Sequence, residues 1–306
     1  MLSRPAIGVH FLPVAQMTVM FTDLVGSVKM YSKVSDSVAV DLVKRLEKQV
    51  QDLLPGLKGV FVKSTGDGQL LTFAEASGAM QGAKEIHRLC DLVAREQRQD
   101  MAVRIAAHSG EVVEGGGDVH GQSVNLAARL LGVTGACETS VTADTWAGMS
   151  TDDRLGFLPH GPEVFKGFSK FSYVYKKPNP NPMTDVTLRP ESVGGEESSL
   201  LVIDAMPKHS RYLLALEHPQ VSKMIPLAEG ETHVFGRAPE CSTQIPDRMF
   251  SGTHVAFAVV DGILWCFDLQ SSNGVSYHGR RIKRRKPIEK NSSVQLPTGL
   301  INVNLP

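Results

Sequence analysis

The sequence predicts two folded domains, an α+β domain with ferredoxin-like order followed by an all-β sandwich. Strand and helix patterns alternate up to residue 176, a segment rich in proline and glycine follows, and short β-rich runs fill the remainder. The chain has 306 residues, enough for two separate cores. We therefore expect a first domain over residues 15–176, a linker over 177–199 and a second domain over 200–306.

The first domain is predicted from changes in hydrophobic period. The run "MTVMFTDLV" is apolar almost throughout, as expected for a strand covered on both faces. Apolar residues then recur at helical spacing, and Pro55-Gly56 ends that helix. The segments that follow are a hairpin over 59–73, a helical stripe over 76–93, a strand over 101–115 and a helix over 123–135. The order β-α-β-β-α-β predicts an antiparallel sheet with its helices on one face.

The linker and the second domain differ in composition from the first. The segment "KKPNPNPMTDVTLRPESVGGEESS" holds four prolines and two adjacent glycines, so it cannot bury an apolar face of its own. After it, runs such as "THVAFAVV" and "ILWCFDL" are separated by Gly, Pro, Asn and Asp, with no helical stripe. This pattern predicts a β-sandwich.

Composition and charge limit the classes of partner. Basic and acidic residues number 32 each, so the net charge is zero, which argues against nucleic acid or membrane as a partner. No apolar run approaches the ~18 residues of a membrane span. The four cysteines lack metal-ligand spacing, and reduced thiols fit a cytoplasmic location. The basic run "RRIKRRK" over 280–286 is interpreted as a solvated hairpin face, with an anionic partner as the alternative.

Two aspartates mark a candidate site in the first domain. Asp23 in "FTDLVGS" and Asp67 in "STGDGQ" end or interrupt strands, and their side chains meet at one rim if the strands are neighbours. Two carboxylates and a backbone carbonyl can hold two divalent cations about 3.5–4 Å apart, as phosphoryl transfer requires. Aspartates at strand ends are more often turn formers or helix caps, so the pair alone does not decide the function.

A later helix adds polar groups. The segment "GDVHGQSVNLAARL" sets Asn125 and Arg129 four residues apart on one helix face, where they suit a polyphosphate or a sugar better than a core. Asp118 lies in the loop before this helix, and "FKGFSK" places Lys166 and Lys170 near a late strand. Each of these residues taken alone is equally compatible with an ordinary exposed position.

Together these motifs resemble the class III adenylyl cyclase catalytic domain. The matching segments are "FTDLVGS", "KSTGDG", "DVHGQSVNLAARL" and "FKGF", in this order and spacing. The resemblance implies a homodimer whose sites form between protomers. It also implies conversion of ATP to 3′,5′-cyclic AMP and diphosphate, with two Mg²⁺ or Mn²⁺ ions at each site.

The resemblance implies a role for each matching residue. Asp23, Asp67 and the carbonyl of Leu24 would bind the metal ions, and Lys63 and Asp118 would recognise adenine. Asn125 and Arg129 would orient the ribose and stabilise the transition state. Lys166 would contact the triphosphate, with Lys170 as the alternative. Independently of the resemblance, the N6 donor of adenine suits a carboxylate and its N1 acceptor suits an ammonium. Guanine reverses this pattern, so ATP is favoured over GTP.

The second domain resembles a forkhead-associated (FHA) domain, a β-sandwich that binds phosphothreonine peptides through its loops. The matching segments are "FGRAPECSTQI", "FSGTHVAF" and "DLQSSNGVSYHG". The resemblance implies phosphate contacts from Arg237 and Ser251, and peptide contacts from Ser272 and Asn273. The expected ligand is a phosphothreonine-containing protein or the chain's own linker, phosphorylated at Thr184 or Thr187.

Three departures from the FHA pattern concern this peptide site. Gly252 stands where arginine or another polar residue is usual, Val275 replaces a threonine and His278 replaces an asparagine. These changes leave the fold prediction intact and put the affinity for phosphopeptides in question.

The leading hypothesis is a homodimeric adenylyl cyclase with a C-terminal phosphothreonine-binding regulatory domain. The alternative is a catalytically silent cyclase-fold dimer that acts as a phosphopeptide-binding scaffold, and a guanylyl cyclase is a third possibility. The metal, base and transition-state positions are all filled, which favours the enzyme.

Overall fold

The computed structural model describes residues 13–26, 35–97, 101–179 and 208–306. The chain divides into two compact units: Met1–His160 with Val174–Asp185, and Gly161–Tyr173 with Val186–Pro306. Residues 161–173, inside the predicted first domain, thus pack with the second unit. Most of the predicted linker, with Thr184 and Thr187, lies outside the described residues, and the domain boundaries stay predictions.

The elements up to residue 115 follow the predicted order, and a helix follows where one was predicted over 123–135; the short strands and helices around and after it were not predicted. The helices are α1 (Asp36–Leu53), α2 (Ala76–Gln97), α3 (Gln122–Leu131), α4 (Ala143–Ala147) and α5 (Thr151–Arg154). The strands are β1 (Val14–Val25), β2 (Gly59–Thr65), β3 (Gly68–Phe73), β4 (Ala102–Gly115), β5 (Asp118–His120), β6 (Glu138–Thr142), β7 (Leu158–Val164) and β8 (Phe171–Pro178). Where the chain is described, none of its helices combines the length and the apolar character needed to cross a membrane.

One mixed sheet has the strand order β2-β3-β1-β4-β6-β8-β7, with β5 paired to β4. β1 lies antiparallel between β3 and β4, whereas β4 and β6 are parallel. Met20 and Leu71 face the apolar stripes of α1 and α2, while Val19 and Leu70 pack with Ala127 of α3. The two helices of the predicted β-α-β-β-α-β order, α1 and α2, therefore share one face as expected, and α3, which follows that order, packs on the other face. Successive residues of β1 point to opposite faces, and both faces are apolar and need cover.

A buried histidine joins α2 to β6. His87 is 4% exposed, and its Nε2 lies 3.0 Å from Oγ1 of Thr139. Burial, assisted by the charge of Lys177, lowers the pKa of His87 to about 4. An unfolded histidine titrates near ~6.5, so the unfolded chain binds the proton first on acidification. Its contribution to stability is complete above that pH and is lost as the pH falls towards about 4.

We expect acidification from pH 7 to pH 5 to cost the first unit about 2 kcal/mol of unfolding free energy through His87. Urea unfolding followed by Trp146 fluorescence in a Trp265→Phe background measures this unit, since the two tryptophans lie in different units. His87→Gln keeps a polar group near Thr139 but does not titrate, so its stability should fall less over the same range. Equal pH dependence in both proteins would contradict the assignment.

The second unit is a β-sandwich, as predicted. Its strands are β9 (Arg211–Glu217), β10 (Ser222–Ala228), β11 (Thr232–Gly236), β12 (Thr243–Gln244), β13 (Val255–Val260), β14 (Ile263–Asp268), β15 (Ser276–Tyr277), β16 (Arg280–Arg281), β17 (Arg285–Ile288), β18 (Ser292–Leu296) and β19 (Gly299–Asn304). One sheet has the order β10-β9-β19-β18-β15-β16 and the other β12-β11-β13-β14-β17. Leu214, Phe257 and Ile301 are among the side chains of the core between them.

The basic run over 280–286 is only partly a solvated face. The Arg285 side chain is 9% exposed and, like Arg284, contacts the carboxylate of Glu163. The interpretation of the whole run as solvated is therefore wrong at Arg285, because a buried carboxylate of residues 161–173 lies opposite it.

Candidate functional site

Asp23 and Asp67 lie together at one end of the β1–β3 pair. Thr22 pairs with Gln69 across these antiparallel strands, which brings the end of β1 beside the β2–β3 turn. The two carboxylates are within hydrogen-bonding contact. Burial is the main cause that raises the pKa of Asp23; Arg104 opposes this shift and Asp67 adds to it. The pair concentrates negative charge that a cation would neutralise.

Glycine is required on each side of Asp67, for a different physical reason at each position. Gly66 has φ +85°, a left-handed conformation that glycine adopts without strain. At Gly68, an added Cβ would lie 2.1 Å from the carbonyl oxygen of Thr22, so no side chain fits. The hairpin can therefore turn tightly and approach β1 closely enough to bring Asp67 to Asp23.

Arg104 is a residue of this site that the sequence reasoning missed. It lies opposite Asp23 in the β1–β4 ladder, with Nη2 at 2.6 Å and Nε at 2.8 Å from Oδ2 of the aspartate. The feature of the sequence that could have indicated this role is a single arginine within the apolar run "MAVRIAA" of a central strand. A charged side chain in such a strand needs a partner of opposite charge, and the β1–β4 register places Asp23 opposite Arg104.

The donor set suits a divalent cation. Mg²⁺ and Mn²⁺ prefer oxygen ligands, which the two carboxylates provide. The Leu24 side chain is buried in the core, so this residue can offer only its backbone. In the part of the chain that is described, no third His, Cys, Asp or Glu joins the pair. Water and phosphate oxygens would complete the coordination, as is usual for Mg²⁺.

Lys63 and Asp118 form an ion pair, with 2.5 Å between Nζ and Oδ2. The β2–β3 register shifts between Phe61 and Lys63, so that Lys63 pairs with Leu70 and shares its face of the sheet. The hydrogen bond from Lys63 is the main cause that lowers the pKa of Asp118. An ammonium and a carboxylate in contact are spaced to meet an acceptor and a donor that neighbour each other on a purine edge.

The remaining predicted residues of the nucleotide site are exposed. Asn125 and Arg129 lie on the open side of α3, one turn apart, while Ala127 faces the sheet. Lys166 and Lys170 are also exposed, in the segment that packs with the second unit. The structure thus groups the carboxylates and the Lys63–Asp118 pair within the first unit, and it places both candidate triphosphate lysines in the second.

Three loops of the sandwich bring the predicted peptide-binding residues together. The backbone N–H of Arg237 donates to the carbonyl of Ser251 at 2.9 Å, and that of Ser272 donates to Oγ of Ser251 at 3.1 Å. The side-chain amide of Asn273 donates to the carbonyl of Met249 at 2.8 Å. Arg237 and Asn273 are exposed, so their remaining donors can reach a ligand.

His254 braces these loops from below. Its Nδ1 accepts from the backbone N–H of Ser251 at 3.0 Å, and its Nε2 lies 3.2 Å from the carbonyl oxygen of Gly274. Burial is the main cause that lowers the pKa of His254. Because Nδ1 accepts from Ser251, the proton of the neutral ring is on Nε2, where it faces the carbonyl of Gly274. The loops are therefore connected through one buried side chain before any peptide binds.

The three departures from the FHA pattern have different consequences. Val275 is buried in the sandwich core, and His278 has φ +49° with its ring centre 4.0 Å from that of Tyr277. Both therefore serve local packing. At Gly252 an added Cβ would meet only Cβ of Ala238, at 3.8 Å, which is ordinary contact. Space for a longer side chain thus exists at position 252.

Comparisons with known proteins identify both parts of the chain. The family "Adenylate and Guanylate cyclase catalytic domain" matches residues 9–170. The chain belongs to this family. The family "FHA domain" matches residues 233–297, so both resemblances predicted from the sequence are confirmed.

Individual relatives agree with this assignment. An adenylate cyclase of Streptomyces griseus is 30% identical over 115 residues, 38% of this chain and 28% of that protein. An adenylate cyclase of Streptomyces coelicolor is 30% identical over 130 residues, 42% of this chain and 32% of that protein. The chain spans about a third or less of the length of the curated relatives it matches. The crystal structure of the adenylyl cyclase CyaB from P. aeruginosa shares the fold, with a TM-score of 0.50 and 18% identity over 56% of this chain and 98% of that chain.

Proposed function

We propose that this chain is a homodimeric adenylyl cyclase that converts ATP to 3′,5′-cyclic AMP and diphosphate, and that its FHA domain is a phosphothreonine-binding regulatory module. The observation that carries the proposal is the contact between the carboxylates of Asp23 and Asp67 in the same unit as the Lys63–Asp118 pair. One pair suits metal-bound phosphate and the other suits a purine edge, and a nucleoside triphosphate has both.

The proposed reaction is attack of the ribose 3′-oxygen on the α-phosphorus. The 3′-hydroxyl releases its proton to solvent, the bond from that phosphorus to the bridging oxygen breaks, and diphosphate leaves. Two Mg²⁺ or Mn²⁺ ions, when bound, lower the pKa of the 3′-hydroxyl and neutralise phosphate charge. Asp23 and Asp67 would hold them, with the Leu24 carbonyl as a further ligand. Asn125 orients the ribose, and Arg129 donates to the phosphate oxygens as charge develops.

Base selection follows from the Lys63–Asp118 pair. The carboxylate accepts from the N6 amino group of adenine, and the ammonium donates to N1. Guanine would set its O6 acceptor against the carboxylate and its N1–H donor against the ammonium, which leaves both pairs mismatched. ATP is therefore the proposed substrate and GTP a poor one.

A homodimer would complete two equivalent sites. The carboxylates of one protomer would act with Lys63, Asp118, Asn125 and Arg129 of its partner, since one chain carries all these roles and a two-fold interface repeats each contact. The exposure of Asn125 and Arg129 is compatible with this arrangement.

The test of the cyclase proposal is a turnover assay with ATP or GTP and Mg²⁺ or Mn²⁺, run across protein concentration. We expect cyclic AMP from ATP, much less cyclic GMP from GTP, and a specific activity that rises with protein concentration as dimers form. Absence of cyclic AMP under all conditions would favour the silent scaffold, and a preference for GTP would favour a guanylyl cyclase.

The peptide-binding proposal predicts opposite effects for two substitutions. Arg237→Ala should weaken binding of phosphothreonine peptides by about tenfold or more, because a charge-assisted hydrogen bond to phosphate is lost. Gly252→Arg should strengthen binding by a similar factor, since the position is open and a second guanidinium would face the phosphate. Fluorescence anisotropy with a labelled phosphothreonine peptide library measures both, with unphosphorylated peptides as the control. If the wild-type chain binds no phosphopeptide, the regulatory role is wrong.

A further inference from the structure

Arg281 lies against the loop of the sandwich that carries Ser272 and Asn273, the predicted peptide contacts. Its Nη2 donates to the carbonyl oxygen of Ser271, directly before Ser272, at 3.4 Å. Directly after Asn273, a Cβ added to Gly274 would lie 2.5 Å from Nε of Arg281, so the guanidinium covers the backbone there. Arg281 therefore contacts this loop on both sides of the residues proposed to hold the peptide.

The backbone that carries Arg281 is fixed by the sandwich. Arg281 pairs with Ser276 in the β15–β16 hairpin. The next residue, Ile282, is 5% exposed in the core between the sheets, and its N–H donates to the carbonyl of Val275 at 2.8 Å. The side chain of Arg281 is thus held at its base by the fold and at its tip by Ser271, before any ligand binds.

Much of the hydrogen-bonding capacity of Arg281 remains free for a ligand. A guanidinium presents N–H donors on Nε and on both terminal nitrogens, and the bond to Ser271 engages Nη2 alone. Arg281 is exposed, so a ligand can reach the other donors. The planar fork of donors matches the paired oxygens of a carboxylate, and a side chain that is already held loses little freedom when it binds one.

The surface around the peptide-binding loops carries more free cations than free carboxylates. Arg237, Arg248 and Arg281 are exposed, and none of the three forms an ion pair with another residue that the structure describes. Asp247, next to Arg248, is engaged within the domain through hydrogen bonds to both of its oxygens, which leaves Glu240 as the exposed acid of these loops. An acidic peptide is therefore favoured over a basic one.

We propose that Arg281 is a specificity-determining residue that selects phosphothreonine peptides with an acidic side chain close to the phosphothreonine. This inference rests on the proposed phosphopeptide binding by the FHA domain. The phosphate is assigned to Arg237 and Ser251, and the neighbouring carboxylate of the peptide pairs with the anchored guanidinium of Arg281. The selected ligand thus carries two separate negative groups, each recognised by its own arginine.

The experiment measures binding of labelled phosphothreonine peptides to the full-length chain by fluorescence anisotropy. In a peptide of otherwise uncharged residues, Asp is placed at each position near the phosphothreonine in turn, and the matched peptide has Asn at that position. We expect Asp to strengthen binding about three- to tenfold over Asn at one such position, because only the carboxylate pairs with the guanidinium.

Substitutions assign this preference to one side chain. In Arg281→Met the preference for Asp over Asn should fall below about twofold, while the affinity for the Asn peptide stays within about twofold of wild type. Arg281→Lys keeps the charge but not the fork, so its preference should be intermediate. Arg280→Met is the matched control and should keep the wild-type preference, since neighbouring residues of a strand point to opposite faces.

Ionic strength separates recognition of charge from a structural effect of the substitution. Both peptides lose affinity for the phosphate contacts as salt is added, so the ratio of their affinities reports on the added carboxylate alone. This ratio should fall with salt in the wild-type chain, because an exposed ion pair is screened, and it should not vary with salt in Arg281→Met.

The outcomes distinguish this inference from the proposed function. A wild-type chain that binds no phosphopeptide overturns both. A wild-type chain that binds phosphopeptides but does not prefer Asp at any position overturns the role of Arg281 alone. Equal losses of affinity for the Asp and Asn peptides in Arg281→Met, or an equal loss of preference in Arg280→Met, would also overturn it.

Discussion

Asp67→Asn is expected to lower the rate of cyclic AMP formation by about a thousandfold or more at saturating ATP. Asparagine has nearly the shape of aspartate, so the turn between Gly66 and Gly68 can persist, while one of the two carboxylates proposed to hold the metal ions is lost. Removal of a single group that stabilises developing charge typically costs about a hundred- to a thousandfold. Loss of a metal ligand removes more than one such interaction.

Initial rates with Mn²⁺ and ATP measure this effect, and Asp52→Asn is the matched control. Asp52 is exposed on α1, where it pairs with Lys48, so the control makes the same chemical change away from the site. Stability provides a second readout. Asp67 raises the pKa of Asp23, so their charges repel and the substitution should leave the melting temperature unchanged or higher. Activity within tenfold of wild type would exclude the proposed role of Asp67.

The fold could be predicted largely because its hydrophobic periods are clear. β1 is largely apolar and is buried on both faces over residues 18–20, and the order of strands and helices up to β4 follows the periodicity. The face of the sheet on which α3 packs was not predicted. The apolar stripe of α3 shows that the helix packs against the sheet, but it does not show against which face. The choice of face depends on Val19 and Met20 of β1, whose side chains point to opposite faces.

The candidate site was predictable where motifs fix both residue type and local geometry. Asp67 lies between two glycines whose conformation and close packing the structure explains, and the Lys63–Asp118 contact joins two segments that the motifs had already paired. Arg104 was not predicted, because its meaning depends on the β1–β4 register that sets it opposite Asp23.

The packing of residues 161–173 had no signal in the sequence. The buried run "GPEVF" reads as an ordinary strand, and the basic run over 280–286 reads as a solvated surface. Only the tertiary structure shows that Glu163 of one meets Arg285 of the other. Contacts between segments more than a hundred residues apart follow from neither periodicity nor local propensity.

Mixing Asp67→Ala with Arg129→Ala is expected to restore activity that neither variant has alone. In the proposed dimer, Asp67 of one protomer acts with Arg129 of its partner, so a heterodimer of the two variants has one site with both lesions and one intact site. Random exchange makes half of the dimers mixed, each with one of two sites working, so specific activity should recover to about a quarter of wild type.

The control mixture combines Asp67→Ala with Asp23→Ala. Both lesions affect the metal-binding half of a site, so every site in a heterodimer lacks one carboxylate and no activity should return. Dimer exchange is verified in both mixtures by co-purification of differently tagged chains. Equal recovery in the two mixtures, or none in either despite exchange, would show that the carboxylates and Arg129 do not act across the interface. Recovery confined to the first mixture would require that each site draws its metal ligands and its transition-state arginine from different protomers.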